Sequence, residues 1–345
     1  MKNIVRIKEF ELSKDSPVFI LLEAGANHNG DIEQAIKMID IAVDAGANGI
    51  KFQHFTAEKN LSKGVKFYPN VGENPLLKLK KLELSIEKLK ILRDYAYDKN
   101  IQFSSSFSHI DNFRNIVKLG VDFIKVSSFF IDAIPVLEEV AEAQLPTFLS
   151  TGTATVKEIE NAIEIFERKK NDKLIILHCV SIYPTPNDLA NLLMIKTLIN
   201  SFPNYIIGYS DHTENLVAPS LSVALGAKVI EKHFTFSKWM EGPDHKFAIE
   251  PHQVKNMIKD IRLAEKLLGS GKKEISLQEK ETKLIARRSI FLNKNIKKGK
   301  TLALNDITLL RPGTGIPPTE LSKIIGKMVV NDLNEGTMLK WEDIH

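Results

Sequence analysis

Short apolar runs alternate with amphipathic stretches along most of the chain. The runs are "VFILLEAG" from Val18, "GIKFQ" from Gly49, "IQFSSS" from Ile101, "DFIKVSS" from Asp122, "PTFLSTG" from Pro146, "LIILHC" from Leu174, "YIIGYSDH" from Tyr205 and "AKVIEKHF" from Ala227. Each is too short and too continuous for an amphipathic helix, and each suits a strand buried on both faces. Between them lie segments such as "DIEQAIKMIDIAVDAG" and "TVKEIENAIEIFERKK", with apolar residues at i, i+3 and i+4 and charges elsewhere. The first has Asp31 as its N-cap and ends before Gly46. Strands alternating with helices predict a parallel sheet, and eight such units predict a closed (β/α)8 TIM barrel over residues 1–268. No G-x-G-x-x-G follows the first strand, which disfavours a dinucleotide fold. The unit after the second strand is oversized, with residues 55–84 carrying "NVGENPLLKLKK" before Ser85 caps the next helix. A loop of that length at this end is expected to act as a lid.

The pattern changes at Gly269. "GSGKKEISLQEKETK" is polar and charged, a linker with some helix over residues 269–286. The tail, 287–345, contains a repeat: Ile296-x2-Gly299-x2-Leu302-x3-Asp306-Ile307 returns as Leu333-x2-Gly336-x2-Leu339-x3-Asp343-Ile344. Two copies of one half-motif predict a small pseudo-symmetric β-rich domain. A core that small is marginal alone and is expected to lean on something larger. Between the copies sits "RPGTGIPP", a rigid loop beginning with Arg311.

Composition narrows the setting. The 43% apolar fraction is enough for a large core. The net charge of +4 comes from lysines scattered among glutamates, a mildly basic surface that favours small anions rather than a nucleic-acid footprint. Cys179 is the one cysteine, so no disulfide framework exists and a cytoplasmic setting is expected. "MKNIVRIKEFELSKDS" has no apolar core of a signal peptide, and no run approaches the ~20 residues that span a bilayer.

In (β/α)8 barrels chemistry sits at the C-terminal ends of the strands. There the runs end in Glu23, Lys51 with Gln53, Ser105, Lys125 with Ser127 or Ser128, Ser150, His178, Ser210 with His212, and His233. Alone, a strand-end histidine is most often a neutral hydrogen-bonded imidazole, a serine an N-cap, and a lysine a side chain snorkelling to water. Eight polar endings on one face point instead to a built site. Lys51 and Lys125 inside a dry barrel need anionic partners, so with the serines they make a site for a small phosphate or carboxylate compound. His212 and His233 end adjacent strands and can converge on one divalent cation, Mn²⁺ with Mg²⁺ or Co²⁺ as alternatives, acting as Lewis acid. A second enzymatic reading makes Lys125 or Lys51 the Schiff-base lysine of an aldolase.

The segments "EAGANHNGDIEQA", "IKFQ", "LSTG", "HCVSIYPTP", "GYSDHT", "EKHFT", "GPDHKFAIEP" and "RPGTGI", in this order, resemble the sialic acid synthase family from about residue 18 to the C-terminus. The tail resembles the antifreeze-like (SAF) domain of those enzymes. The family condenses phosphoenolpyruvate with an acylated mannosamine-type sugar, giving a nine-carbon α-keto acid and phosphate. The resemblance implies that Lys51, Ser105, Lys125, Ser128, Ser150, Ser181 and Ser210 hold phosphoenolpyruvate, with Ser181 where asparagine is frequent. It assigns the metal to His212 and His233, the sugar side to Gln53, Tyr183 and Asp244, and water activation to Glu23. It also implies that Arg311 reaches from one subunit's SAF domain into its partner's barrel, in a domain-exchanged homodimer. One departure stands out: the family often has an acidic residue where "KVSSFF" places Phe130. Losing a carboxylate that would meet hydroxyls suggests a 6-deoxy diacetamido acceptor, and "MEGPDHK" resembles the legionaminate branch more than the pseudaminate one. The product is thus expected to be of N-acetylneuraminate or legionaminate type; the alternative acceptors are the pseudaminate-type sugar or an aldose phosphate, which would need more arginines than Arg311. A glycan- or ice-binding tail on a dead barrel would require losses among Glu23, Lys51, Lys125, His212 and His233, all of which are present.

Overall fold

The computed structural model describes residues 4–62, 64–68 and 71–345. A hairpin of β1 (Val5–Ile7) and β2 (Phe10–Leu12) opens the chain. Each of the eight apolar runs then becomes a strand: β3 (Phe19–Gly25) and β4 (Gly49–His54), and, after the short hairpin of β5 (Phe67–Tyr68) and β6 (Gly72–Glu73), β7 (Gln102–Phe107), β8 (Phe123–Val126), β9 (Thr147–Ser150), β10 (Leu174–Cys179), β11 (Ile206–Asp211) and β12 (Val229–His233). The eight close into a parallel barrel in which β12 pairs with β3. Helices follow the strands; the first, Ile32–Ala45, is capped by Asp31 accepting from the Glu33 amide at 2.8 Å and stops at Gly46 in the left-handed region, φ 81°. No described helix is long and apolar enough to cross a membrane.

Two apolar layers separate along the strands. One face of each packs against the helices through residues such as Ile20, Ile50, Phe103, Ile124 and Ile176. The other fills the barrel's lower interior with Phe19, Leu21, Phe123, Phe148, Ile175, Leu177, Ile206 and Val229, against which Val5, Ile7 and Leu12 of the hairpin pack. The interior is so full there that a side chain at Gly208 would stand 2.6 Å from Leu177 and 2.7 Å from Val229. Packed this way the lower barrel is a core, not a channel.

Of the expected lid, Lys63, Pro69 and Asn70 lie outside the described residues. The rest holds the β5–β6 hairpin and the helices Ala57–Asn60 and Pro75–Leu82. Phe55, Ala57, Leu79 and Leu82 join Ala26 in a small apolar cluster of their own.

The chain divides into two compact units, Met1–Gly269 and Ser270–His345. The second begins with the helix Leu277–Ala286 and pairs β13 (Ser289–Leu292) with β14 (Ile307–Leu310). Its repeat copies fold alike. Gly299 and Gly336 take φ of 84° and 80°. Asp306 accepts from the Ala303 amide and Asp343 from the Lys340 amide, each at 2.9 Å. The first residues of the two copies, Ile296 and Leu333, exchange backbone hydrogen bonds of 2.8 and 2.9 Å. The core of this unit is Ile290, Leu292, Ile296, Leu302, Ile307, Ile316, Ile324, Val329 and Leu339.

Candidate active site

Above the apolar plug the inward positions change chemistry. A cavity of about 610 Å³ opens at the C-terminal end of the strands, lined by Glu23, Lys51, Gln53, Lys125, Ser128, Ser150, Ser181, Tyr183, Ser210, His212, His233 and Asp244 among others. The residues expected from the barrel thus converge on one cavity, with Ser105 and His178 the exceptions. Register explains why. Lys51 and Gln53 face inward on β4 and pair with Ser104 and Ser106 of β7, so Ser105, beside Phe52, points outward. Its hydroxyl donates to the Phe52 carbonyl at 3.2 Å, and Ser106 lines the cavity instead. His178 is also on the outer face, stacked on Tyr209 with its Nε2 2.9 Å from the Ala190 carbonyl. Arg311 stands exposed in the second unit.

The two ammonium groups that line the cavity each meet a carboxylate. Lys51 contacts Glu23, whose other oxygen accepts from the Gly25 amide at 2.6 Å. Lys125 donates to the Ser150 hydroxyl at 2.6 Å and lies 3.7 Å from Glu231. Burial, and behind it the charge of Lys125, pushes Lys51 down to about 7, with the Glu231 and Asp244 carboxylates pulling the other way. Burial would raise Glu231, but Lys125, Lys51 and the Ser210 hydroxyl, which donates to it at 2.8 Å, together hold it below the usual carboxylate range. Sequence reasoning missed Glu231, although alternation from His233 in "EKH" places it on the same inward face. Burial raises Asp244 to about 6. That carboxyl comes so near β3 that a side chain at Gly25, φ 56°, would stand 2.7 Å from its Oδ2. Only glycine satisfies both the turn and the approach.

His212 and His233 lie with ring centroids 5.7 Å apart, between Tyr183, 4.2 Å from His212, and Phe247, 5.0 Å from His233. Burial lowers His212 to about 4 and puts His233 well below its ordinary value, so both are neutral and keep a lone pair. His212 Nδ1 donates to the Val180 carbonyl at 2.9 Å, which leaves Nε2 as the free lone pair. Buried in the site and without a hydrogen-bond partner among the described residues are His233 Nδ1, Glu231 Oε2 and the Ser181 hydroxyl. Two neutral imidazoles, one with an orphaned buried nitrogen, suit a divalent cation of intermediate softness. Among the described residues no group of three or more His, Cys, Asp or Glu is placed to hold an ion by itself. The remaining positions of such an ion would go to substrate and water.

The outer wall of the cavity differs. Phe55, Phe107, Phe129 and Phe130 line it, with Phe130 5.2 Å from Phe107. Among the described residues the carboxylates that line the cavity are Glu23, Glu231 and Asp244.

The sequence profile of the NeuB family matches residues 38–273, and that of the SAF domain matches 287–345. The chain is 41% identical to an uncharacterized protein of Methanocaldococcus jannaschii, over 99% of this chain and 98% of that one. It is 38% identical to the N,N'-diacetyllegionaminic acid synthase of Legionella pneumophila, over 94% of each. Other relatives carry the names pseudaminic acid synthase and N-acetylneuraminate-9-phosphate synthase. Among solved structures, the N-acetylneuraminic acid synthetase of Leptospira borgpetersenii is similar with a TM-score of 0.76 at 35% identity, over 82% of this chain and 95% of that one.

Proposed function

The chain belongs to the NeuB family of carbon–carbon bond-forming synthases, and from that premise we propose that it condenses phosphoenolpyruvate with a legionaminate-type acceptor, a 6-deoxy diacetamido sugar of the mannosamine type. The observation that carries the reading is the cavity itself. Two buried ammonium groups, the hydroxyls of several serines, Ser128, Ser150, Ser181 and Ser210 among them, and two neutral imidazoles face one space at the mouth of a closed barrel.

Lys51 and Lys125 neutralise the phosphate and carboxylate of phosphoenolpyruvate, and Ser128, Ser150, Ser181 and Ser210 donate to its oxygens. Ser181, orphaned and buried, is suited to that role. C3 of phosphoenolpyruvate attacks the acceptor's open-chain aldehyde carbon, and the aldehyde oxygen takes up a proton. A divalent cation held by His212 and His233, Mn²⁺ as first choice, supplies Lewis-acid polarisation of that aldehyde when bound. Water then adds to the electron-poor C2 and gives up a proton, for which Glu23 is the base at hand. The C2–O bond breaks, phosphate leaves, and C2 becomes the ketone of the nine-carbon acid. Gln53, Tyr183 and Asp244, which also line the cavity, would take the sugar, as the resemblance implies.

The rings of Phe107, Phe129 and Phe130 favour the 6-deoxy acceptor over a more hydroxylated one, because a methyl group buries against them at less cost than a hydroxyl does. The test is phosphate release from phosphoenolpyruvate after chelation and Mn²⁺ re-addition. It is run with 2,4-diacetamido-2,4,6-trideoxymannose and with N-acetylmannosamine. Release that needs metal and is faster with the diacetamido sugar is expected. Faster release with N-acetylmannosamine would replace the acceptor, and no release with either would sink the synthase reading.

We further propose that the enzyme works as a domain-exchanged homodimer in which Arg311 of the partner subunit contacts the sugar's acyl group. The support is the resemblance of "RPGTGI" and the SAF match. Mixing Arg311→Ala and His212→Ala proteins should then restore up to about a quarter of the activity, from heterodimers with one intact site. Mixtures no more active than their parts would remove the exchange.

A further inference from the structure

The two strands that carry the histidines use both faces. β11 and β12 pair in parallel with Ser210 opposite Glu231 and Asp211 opposite Lys232. Ser210, His212, Glu231 and His233 line the cavity, so Asp211 and Lys232 point the other way, where their side chains are 0% and 1% exposed. Lys232 Nζ donates to Asp211 Oδ2 at 2.6 Å, to the Thr213 carbonyl, and at 3.5 Å to the Asn215 carbonyl. Asp211 Oδ1 accepts from the Tyr209 hydroxyl at 3.0 Å and from the Thr213 amide at 2.8 Å. One ammonium and one carboxylate therefore grip the chain on both sides of His212 and tie it to the residue before His233.

A buried ion pair is a weak source of stability, because desolvating two charges offsets most of their attraction and an apolar pair of similar volume often does as well. Its best-attested use is register. Sliding β12 by one residue against β11 would separate the charges and turn Lys232 into the cavity and His233 out of it. We propose that Asp211 and Lys232 are positioning residues, a register pin on the back of the site that sets His212 and His233 side by side. The functional consequence rests on the reading that the two imidazoles share one cation.

Lys232→Met alone strands a buried carboxylate and is expected to fold poorly. The informative protein is Asp211→Asn with Lys232→Met, which keeps the shape, keeps an acceptor for Tyr209 and Thr213, and removes both charges. It should fold and bind phosphoenolpyruvate within about threefold of the unaltered protein, while its affinity for Mn²⁺ alone, read by electron paramagnetic resonance of the free ion, falls about tenfold or more. The ¹⁵N imidazole signals of His212 and His233 should shift in the metal-free double variant. Lys232→Arg, which keeps the charge, should restore both readouts in large part. Unchanged Mn²⁺ affinity together with unchanged imidazole signals in the double variant would overturn the pin. His212→Ala is the separate control. If it binds Mn²⁺ like the unaltered protein, the shared-cation reading fails, and the imidazole signals alone then decide for or against the pin.

Discussion

Along β3 the inward side chains run Phe19, Leu21, Glu23, and along β12 they run Val229, Glu231, His233. A step of two or four residues carries each strand from a packed hydrocarbon layer into a layer of charges. The lower interior is closed by the β1–β2 hairpin and crossed by edge-on contacts of Phe19 with Phe10, Phe123 and Phe148 at 5.1 to 6.0 Å. The upper interior holds Lys51, Lys125, Glu23 and Glu231, all buried, in the same tube of backbone. Desolvated charges are costly, and no packing gain in the upper layer offsets them. The lower layer is therefore where stability is gained, and the upper layer is where it is spent on holding a site ready for anions.

That division breaks most sharply at Phe148. Phe148→Ala removes a ring whose centroid lies 4.8 Å from that of Phe123, tilted 31° to it, and should cost about 3–5 kcal/mol of unfolding free energy, with KM for phosphoenolpyruvate within about twofold. Lys125→Met is the counterpart one layer up. It should lower kcat/KM for phosphoenolpyruvate about 10²- to 10³-fold through loss of a preorganised cation. Denaturant unfolding and steady-state kinetics on the two proteins check both halves together. A Phe148→Ala enzyme that loses catalysis while keeping its stability would mean that the two layers are not separable.

The sequence made the eight strands legible because each is an apolar run flanked by helical periodicity, and buried parallel strands have that form. The same continuity hid the faces. A run such as "LIILHC" shows no alternation, so nothing in it says that His178 points out and Cys179 in. Register against β4 decides the matter for Ser105, and register is a property of two strands at once. The histidine pair was readable because each imidazole ends its own run. Glu231 could have been reached by stepping back two residues from His233, but the Asp211–Lys232 pair could not, because in "YSDHT" and "EKHFT" neighbouring polar residues serve opposite faces. The tail was legible for a different reason, since its repeat declares its own symmetry. Helix Leu277–Ala286, read within a linker, is an amphiphilic segment whose capping box of Ser276 and Glu279 gives it a defined start.

The smallest effect concerns the proton on Lys51, and it sharpens the contrast because the lower layer has no counterpart. Burial and the neighbouring Lys125 bring Lys51 to about 7, whereas in water a lysine loses its proton some three units higher. Glu23 touches it, so the pair, rather than Lys51 alone, takes up the proton. Phosphoenolpyruvate binds the ammonium form and, once bound, raises its pKa, since an anion in a dry site favours the charged state. Below about 7 the site is protonated with or without ligand, and affinity should not depend on this group. Above it the free protein has lost the proton and the complex has not, so each unit of pH should weaken binding up to about tenfold until the complex itself titrates. The phosphate of the ligand completes its ionisation near 6, outside that window. Calorimetry between pH 7 and 9 in buffers of different ionisation enthalpy should show weakening affinity and net uptake of up to one proton on binding. Phe148→Ala should leave that uptake in place and Lys51→Met should abolish it. Flat affinity without proton uptake across the window would mean that Lys51 stays charged in the free protein. The upper layer would then keep its charges at no cost in proton occupancy, and the contrast with the lower layer would rest on packing alone.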